Sequence, residues 1–140
     1  MGPNEPKQII VMRKDLRNID GQKIRTGKQI AQGAHASLKA ILNMGSIQET
    51  NDGPSVVIPI TNKALHDWVL GRYTKVCVYV ESEEELLNVY ESAADAGLIC
   101  ALIKDAGLTE FGGIPTHTCC AIGPAYPDEL VGITDHLKLL

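Results

Sequence analysis

Lys28, Gln32, His35 and Lys39 are spaced by four, three and four residues, so on a helix they fall along one stripe. Lys28 belongs to the first turn, where the helix dipole disfavours a cation. A lysine there, preceded by Gly27, which lets another molecule approach the backbone, suits a bound anion. The plainer alternative is a solvated lysine beside a structural glycine. Asp105 is the second candidate. It follows an apolar run and precedes Ala106-Gly107, which puts it at the carboxyl end of a strand. In open α/β sheets that edge holds the ligand crevice. The segment entering the Lys28 helix starts from the same edge, so the two charges can converge across the 77 positions between them. Asp105 could equally cap its own turn. Thr109 and Thr118 add hydroxyls nearby, although threonine is also an ordinary strand former.

Other residue groups invite chemistry less well. His117-Thr118-Cys119-Cys120 suggests zinc, but neighbouring strand side chains point to opposite faces, so the two thiols do not readily share a metal. A nucleophilic cysteine (Cys119 or Cys120, with His35) needs an exposed thiol of low pKa, which a strand interior disfavours. The four cysteines, with Cys77 and Cys100 inside apolar runs, read as buried free thiols of a reducing compartment, the cytoplasm. Glu83-Glu84-Glu85 reads as a solvated helix start. There is no P-loop, and Gly112-Gly113 falls short of a dinucleotide fingerprint.

The elements that must position these residues follow from periodicity. Residues 8–12, 76–80, 98–103 and 116–122 read as strands. Thr26-Gly27-Lys28-Gln29 has the form of a capping box that opens a helix, with Ile30, Ala34, Leu38, Ile41 and Leu42 as its buried face and Gly45 as its stop. A short helix spans 63–70. Ser82-Glu83-Glu84-Glu85 forms a second capping box and opens another helix, with Leu86, Tyr90 and Ala93 inward and Gly97 at its end; Pro127 starts a last one. Residues 45–61 read as a long connection with little regular structure, and residues 1–6 as a loose tail in which Pro6 spoils a myristoylation motif. The order β-α-(short α)-β-α-β-β-α predicts one α/β domain over 1–140. Its sheet has four strands, mixed but mostly parallel, with helices on both faces and one antiparallel member.

Length and composition agree. The 140 residues are 44% apolar and 21% charged, enough for one core and against disorder. No apolar run has the roughly 20 residues that cross a bilayer, and no signal peptide opens the chain. The net charge of −4 is unevenly spread. Residues 1–39 carry eight bases and three acids, and residues 40–140 carry five and fourteen. A uniformly basic nucleic-acid binder is excluded, while a local basic face beside Lys28 is left open.

Together, Gly27-Lys28-x-x-Ala31-Gln32-x-x-His35-Ala36, Asp105-Ala106-Gly107-x-Thr109, Thr118-x-x-x-Ile122-Gly123-Pro124 and the ending His136-Leu137-Lys138-Leu139-Leu140 resemble the peptidyl-tRNA hydrolases of the second type, shared by archaea and eukaryotes. The resemblance spans about residues 7–140. Thr26 stands where the family often has a base, Ala121 where it has glycine, and the Thr109–Thr118 stretch is about one residue longer; residues 45–61 have no counterpart. These departures mark a divergent member, for which a bacterial or phage source is open.

The resemblance implies a four-stranded mixed sheet, a homodimer, no metal or other cofactor, and hydrolysis of the ester joining a peptide to the 3′ ribose of tRNA. It carries functional positions onto Lys28, Gln32, His35, Asp105, Thr109 and Thr118. Lys28 would serve the oxyanion or the 3′-terminal phosphate. Asp105, with a pKa lowered by the lysine, would orient water, while His35 would be a rival base or a tether for Asp105. Thr109 and Thr118 would hydrogen-bond the peptide or the 3′ end. Gly27, Gln32, Gly107, Arg17, Arg25 and Lys39 would line the substrate surface. The alternatives are a non-catalytic RNA- or protein-binding module and the cysteine-dependent hydrolase.

Overall fold

The computed structural model describes residues 4–140. Four strands form the main sheet: β1 (Lys7–Arg13), β4 (Lys75–Val80), β5 (Cys100–Asp105) and β6 (Thr116–Ala125), in the spatial order β4-β1-β6-β5. β1 and β4 pair in parallel, and β6 runs antiparallel between β1 and β5. Three strands point the same way, as the sequence predicts. Because the one reversed strand is central, two of the three ladders are antiparallel, and the sheet is less parallel than expected. β5 is an edge strand, so its apolar run reflects burial by packed helices rather than by strands on both sides.

Helix α1 (Thr26–Leu42) covers one face and α3 (Glu83–Asp95) the other. On the α3 side, Ile9, Val11, Val78 and Val80 pack with Leu86, Val89 and Ala93. The Ser82 hydroxyl caps α3 by accepting from Glu85 N–H at 3.0 Å. The Glu85 carboxylate accepts from Glu81 N–H instead of Ser82 N–H, so only half of the expected box forms. Gly97 ends α3 with φ +75°, and Leu98 N–H donates to Ala93 O, a Schellman closure.

α1 is turned the opposite way from its predicted orientation. Its buried residues are Gln32, Gly33, Ala36, Ser37 and Ala40, while Ile30, Leu38 and Leu42 are exposed. Both sets have helical periodicity, and size decides between them. The facing sheet surface holds Met12, Ala101, Ile103, Cys119 and Ala121, and the helix approaches closely enough that a Cβ on Gly33 would sit 3.5 Å from the Ile10 side chain. A buried polar lock fixes the rotation. The Ser37 hydroxyl donates to Gln8 Oε1 at 2.5 Å, and Gln8 Nε2 donates to Ser37 O and Gly123 O. The expected capping box is also absent: Thr26 is already helical, Arg25 occupies the N-cap in extended conformation, and its side chain makes no capping hydrogen bond among the described residues. Asn43, not Gly45, is the C-cap.

Residues 45–61 are more ordered than predicted. β2 (Ser46–Thr50) and β3 (Gly53–Val57) form a separate antiparallel hairpin that turns at Asn51-Asp52. Helix α2 (Lys63–Leu70) follows as expected, with Asn62 as N-cap. The last predicted helix is only one 3-10 turn, Pro127–Leu130. Residues 1–3 of the expected tail lie outside the described residues. Glu5 and Pro6 are not loose, because Pro6 is buried and Glu5 pairs with Arg72 at 2.8 Å. At the far edge of the sheet, the chain end lies along β4, with Tyr79 N–H donating to Lys138 O and Leu140 N–H to Cys77 O. No described helix is long and apolar enough to cross a membrane.

Candidate active site

Lys28 and Asp105 meet at the carboxyl edge of the sheet. Lys28 Nζ lies 3.0 Å from Asp105 Oδ1 and 3.1 Å from Thr109 Oγ1. Their side chains are 12% and 15% exposed, so the pair is largely withdrawn from water yet reachable. Both elements deliver them for simple reasons. β5 ends at Asp105, and α1 begins two residues before Lys28, so its first turn overhangs that strand end. The Phe111 ring, with its centroid 5.8 Å from Lys28 Nζ, closes one side.

The Asp105 carboxylate is held on every side. Oδ1 accepts from Lys28 and from Gln32 Nε2 (3.2 Å), and Oδ2 accepts from Gly107 N–H (2.9 Å). Burial pushes the carboxyl pKa up, and the Lys28 ammonium, the Gly107 N–H and the Gln32 amide together outweigh it and hold the group below its ordinary value. Gln32 is oriented in turn, because Thr118 donates its hydroxyl to Gln32 Oε1 at 2.6 Å. Thr118 and Gln32 are both buried. Thr118 therefore acts on Gln32 from beneath and presents no hydroxyl outward, unlike the substrate contact expected for it. Gly107 has φ +80°, and a Cβ there would lie 2.2 Å from Ile114 O, so only glycine fits the turn that aims its N–H at Asp105.

His35 and Lys39 are displaced from this cluster. The tether expected of His35 is made by Gln32, and His35 has no hydrogen bond to Asp105 among the described contacts. Farther along α1 the stripe overhangs edge strand β5, leaving His35 and Lys39 exposed beside Leu38, Leu42 and Ile103. Eleven residues of helix put Lys39 about 16 Å from Lys28 along the axis. Gly27 is exposed, and no atom of the described residues lies within 4 Å of where its Cβ would be. Arg17 is exposed, and its guanidinium donates to Leu16 O. Arg25 pairs with the buried Glu110, Nε to Oε1 at 2.5 Å, and holds that carboxyl below its usual range. Glu110 and Phe111 are site residues missed from the sequence. Their signal was an acid and an aromatic within the Thr109–Thr118 loop, facing a basic segment.

The cysteine alternative fails on burial. Cys119 and Cys120 are inaccessible; burial pushes the Cys119 thiol up to about 11 and Cys120 higher still. Cys119 donates its S–H to Gln32 O at 3.2 Å. Cys77, expected to be buried, is exposed, because it lies on the part of β4 that α1 leaves uncovered.

Fold and site thus define a small α/β protein with a lysine–carboxylate centre at the sheet's carboxyl edge, backed by a buried glutamine–threonine relay. The sequence model of the family described as Peptidyl-tRNA hydrolase PTH2 matches residues 6–140, and the chain belongs to this family. Among curated proteins, it is 36% identical over 134 residues to a peptidyl-tRNA hydrolase of Methanocaldococcus jannaschii, covering 96% of this chain and 99% of that one. It is 41% identical over 137 residues to one of Thermococcus onnurineus, covering 96% and 97%. A third, from Methanopyrus kandleri, is 36% identical over 134 residues, again covering 96% and 97%.

Proposed function

We propose that the protein hydrolyses the ester between a peptide and the 3′ ribose of tRNA, freeing the tRNA for reuse. The observation that carries this reading is the Lys28–Asp105–Thr109 contact set, partly withdrawn from water at the sheet edge. Ester hydrolysis needs a positioned water and a stabilised tetrahedral oxyanion. Lys28, beside the uncapped first turn of α1, supplies positive charge and N–H donors where the oxyanion develops. Asp105, held below the ordinary carboxylate range, is a weak base and a good acceptor, so it orients the attacking water rather than taking its proton outright. Gln32 and Thr118 keep Asp105 in place. Thr109, exposed and bonded to Lys28, is positioned to contact the peptide or the ribose. The basic β1–α1 segment, with Arg17 exposed, meets the tRNA backbone. His35 and Lys39 belong to the outer part of the same face. The reaction belongs where translation occurs, in the cytoplasm. The test is cleavage of peptidyl-tRNA by the purified protein with EDTA present. Binding of tRNA without release of peptide would overturn the reading in favour of a non-catalytic module.

Gly27 offers a sharper check. Its backbone needs no glycine and its neighbourhood is open, so Gly27→Ala should leave the melting temperature unchanged or slightly higher. If the space serves the substrate, kcat/KM should fall by about tenfold, roughly one well-placed contact. Unchanged kinetics would detach Gly27 from the substrate surface.

The reading extends to a homodimer. One helix about 10 Å wide covers only part of a four-stranded face. Ile30, Leu38 and Leu42 form an exposed ridge on α1. Beside it runs a cleft of about 360 Å³, with Ile10 and Met12, Gly33 and Ala34 of α1, and Cys77 and Leu140 in its walls. A ridge next to a groove is self-complementary about a two-fold axis. Light scattering should give twice the chain mass for the native protein and the chain mass for Leu38→Glu, with circular dichroism unchanged. A native monomer would remove the dimer.

A further inference from the structure

The β1–α1 loop and the β5–β6 loop are laced together beside Lys28. Ile19 N–H donates to Glu110 O at 3.2 Å, and Arg25 donates to the Glu110 carboxylate from both its backbone N–H and its Nε. Asn18 Oδ1 accepts from Asp20 and Gln22 N–H and braces the first loop. Gly113 N–H donates to Gly107 O at 2.7 Å and braces the second. Leu16, Ile24 and Phe111 pack beneath both.

Between the loops lies a cleft of about 310 Å³, whose lining includes Leu16, Ile19, Phe111, Ile114, Arg13 and Arg17. Phe111 is the wall it shares with the Lys28 centre. Ile19 and Ile114 are 75% and 68% exposed, two branched aliphatic side chains held in water on braced backbone. A covering ligand would gain free energy from each. Arg13 is occupied by Asp15 and His117 O. Arg17 donates only to Leu16 O among the described contacts, so its charge is available.

The cleft therefore suits a neutral group with an apolar face to lay against Ile19, Ile114 and Phe111 and polar edges, attached to an anion. Two groups adjoin the scissile ester of a peptidyl-tRNA. The side chain of the last amino acid varies from substrate to substrate, whereas the 3′-terminal adenosine is the same in every tRNA and carries a 5′ phosphate. A braced cleft of one shape fits the invariant group. We propose that this cleft binds the 3′-terminal adenosine, the base against Ile19, Ile114 and Phe111 and its phosphate on Arg17, which brings the ester on its ribose to Lys28. The proposal rests on the peptidyl-tRNA reading of that centre.

The test compares native protein with Ile19→Ala/Ile114→Ala on peptidyl-tRNA ending in adenosine and on the same substrate with a terminal cytidine. Both side chains are exposed, so the variant should fold. The variant should raise KM about tenfold on the adenosine-ended substrate with kcat little changed, the loss of two apolar contacts to the base. On the cytidine-ended substrate, native protein and variant should differ less than about twofold. Native kinetics in the variant would overturn the proposal. So would a penalty that ignores the terminal base and follows the last amino acid of the peptide, which would make the cleft a side-chain pocket. A second arm does not depend on catalysis: adenosine 5′-monophosphate should shift the amide resonances of residues 16–19 and 111–114 in native protein and not in the variant. Absence of those shifts overturns the subsite, whereas their presence in a protein that leaves peptidyl-tRNA intact would retain the subsite and overturn the hydrolase reading.

Discussion

Replacing Lys28 with alanine should lower kcat/KM on peptidyl-tRNA by about 10²–10³-fold with the fold retained, the usual cost of removing one charged stabiliser of a developing oxyanion. Lys28 is largely withdrawn from water and makes two polar contacts, so its loss removes charge and also frees Asp105 and Thr109. A second readout separates this from general damage. Asp105 has a pKa lowered by folding, so its interactions stabilise the native state above the unfolded carboxylate value of about 3.9. That contribution is lost as pH falls through the depressed native value. Lys28→Ala removes part of it at neutral pH and nothing once Asp105 is protonated in both states. The difference in melting temperature between the two proteins should therefore be largest near pH 7 and shrink toward pH 3. Wild-type turnover in a folded Lys28→Ala protein would end the assignment.

Gln32→Leu should reduce kcat by about 10²-fold while changing KM little, because Gln32 is buried and, in the proposed mechanism, acts through Asp105, to which it donates. It should also destabilise the protein by about 1–3 kcal/mol, since the buried Thr118 hydroxyl loses its acceptor. Thr118→Val alone should lose less activity, leaving Gln32 in place but free to turn. The double variant should be no worse than Gln32→Leu alone, since both residues serve one relay. Additive losses in kcat would show that Thr118 touches the substrate by itself, and an unchanged kcat in Gln32→Leu would break the relay.

The strand positions and the convergence of Lys28 with Asp105 were legible, because strand ends and helix starts collect at one edge of any such sheet. The facing of α1 was not. Two sets of residues on it repeat at helical spacing, and the reading took the bulkier set as buried. The sheet here is approached so closely that small residues and the Gln8–Ser37 lock win the interface. The same error put His35 next to Asp105 and hid Gln32 as the tether, since rotation of the helix sets which member of the stripe points inward. The Arg25–Glu110 pair was not legible, because its members are 85 positions apart, beyond any local pattern. The β2–β3 hairpin was available in principle: Asn51-Asp52-Gly53 between Ile47 and Val56 is a turn signal flanked by strand formers.

That hairpin has a consequence for how the fold tolerates change in length. Ser46 pairs with Val57, so the chain leaves the body and returns to it at almost the same point. Its side chains are mostly exposed. An excursion with coincident ends can be shortened, extended or replaced by another sequence without moving α1 or α2, and the entropy of closing such a loop grows only slowly with its length. The edge that holds Lys28 and Asp105 is built from other segments, so residues 46–57 form a natural cassette for grafting a label, a tag or a foreign loop onto this enzyme scaffold.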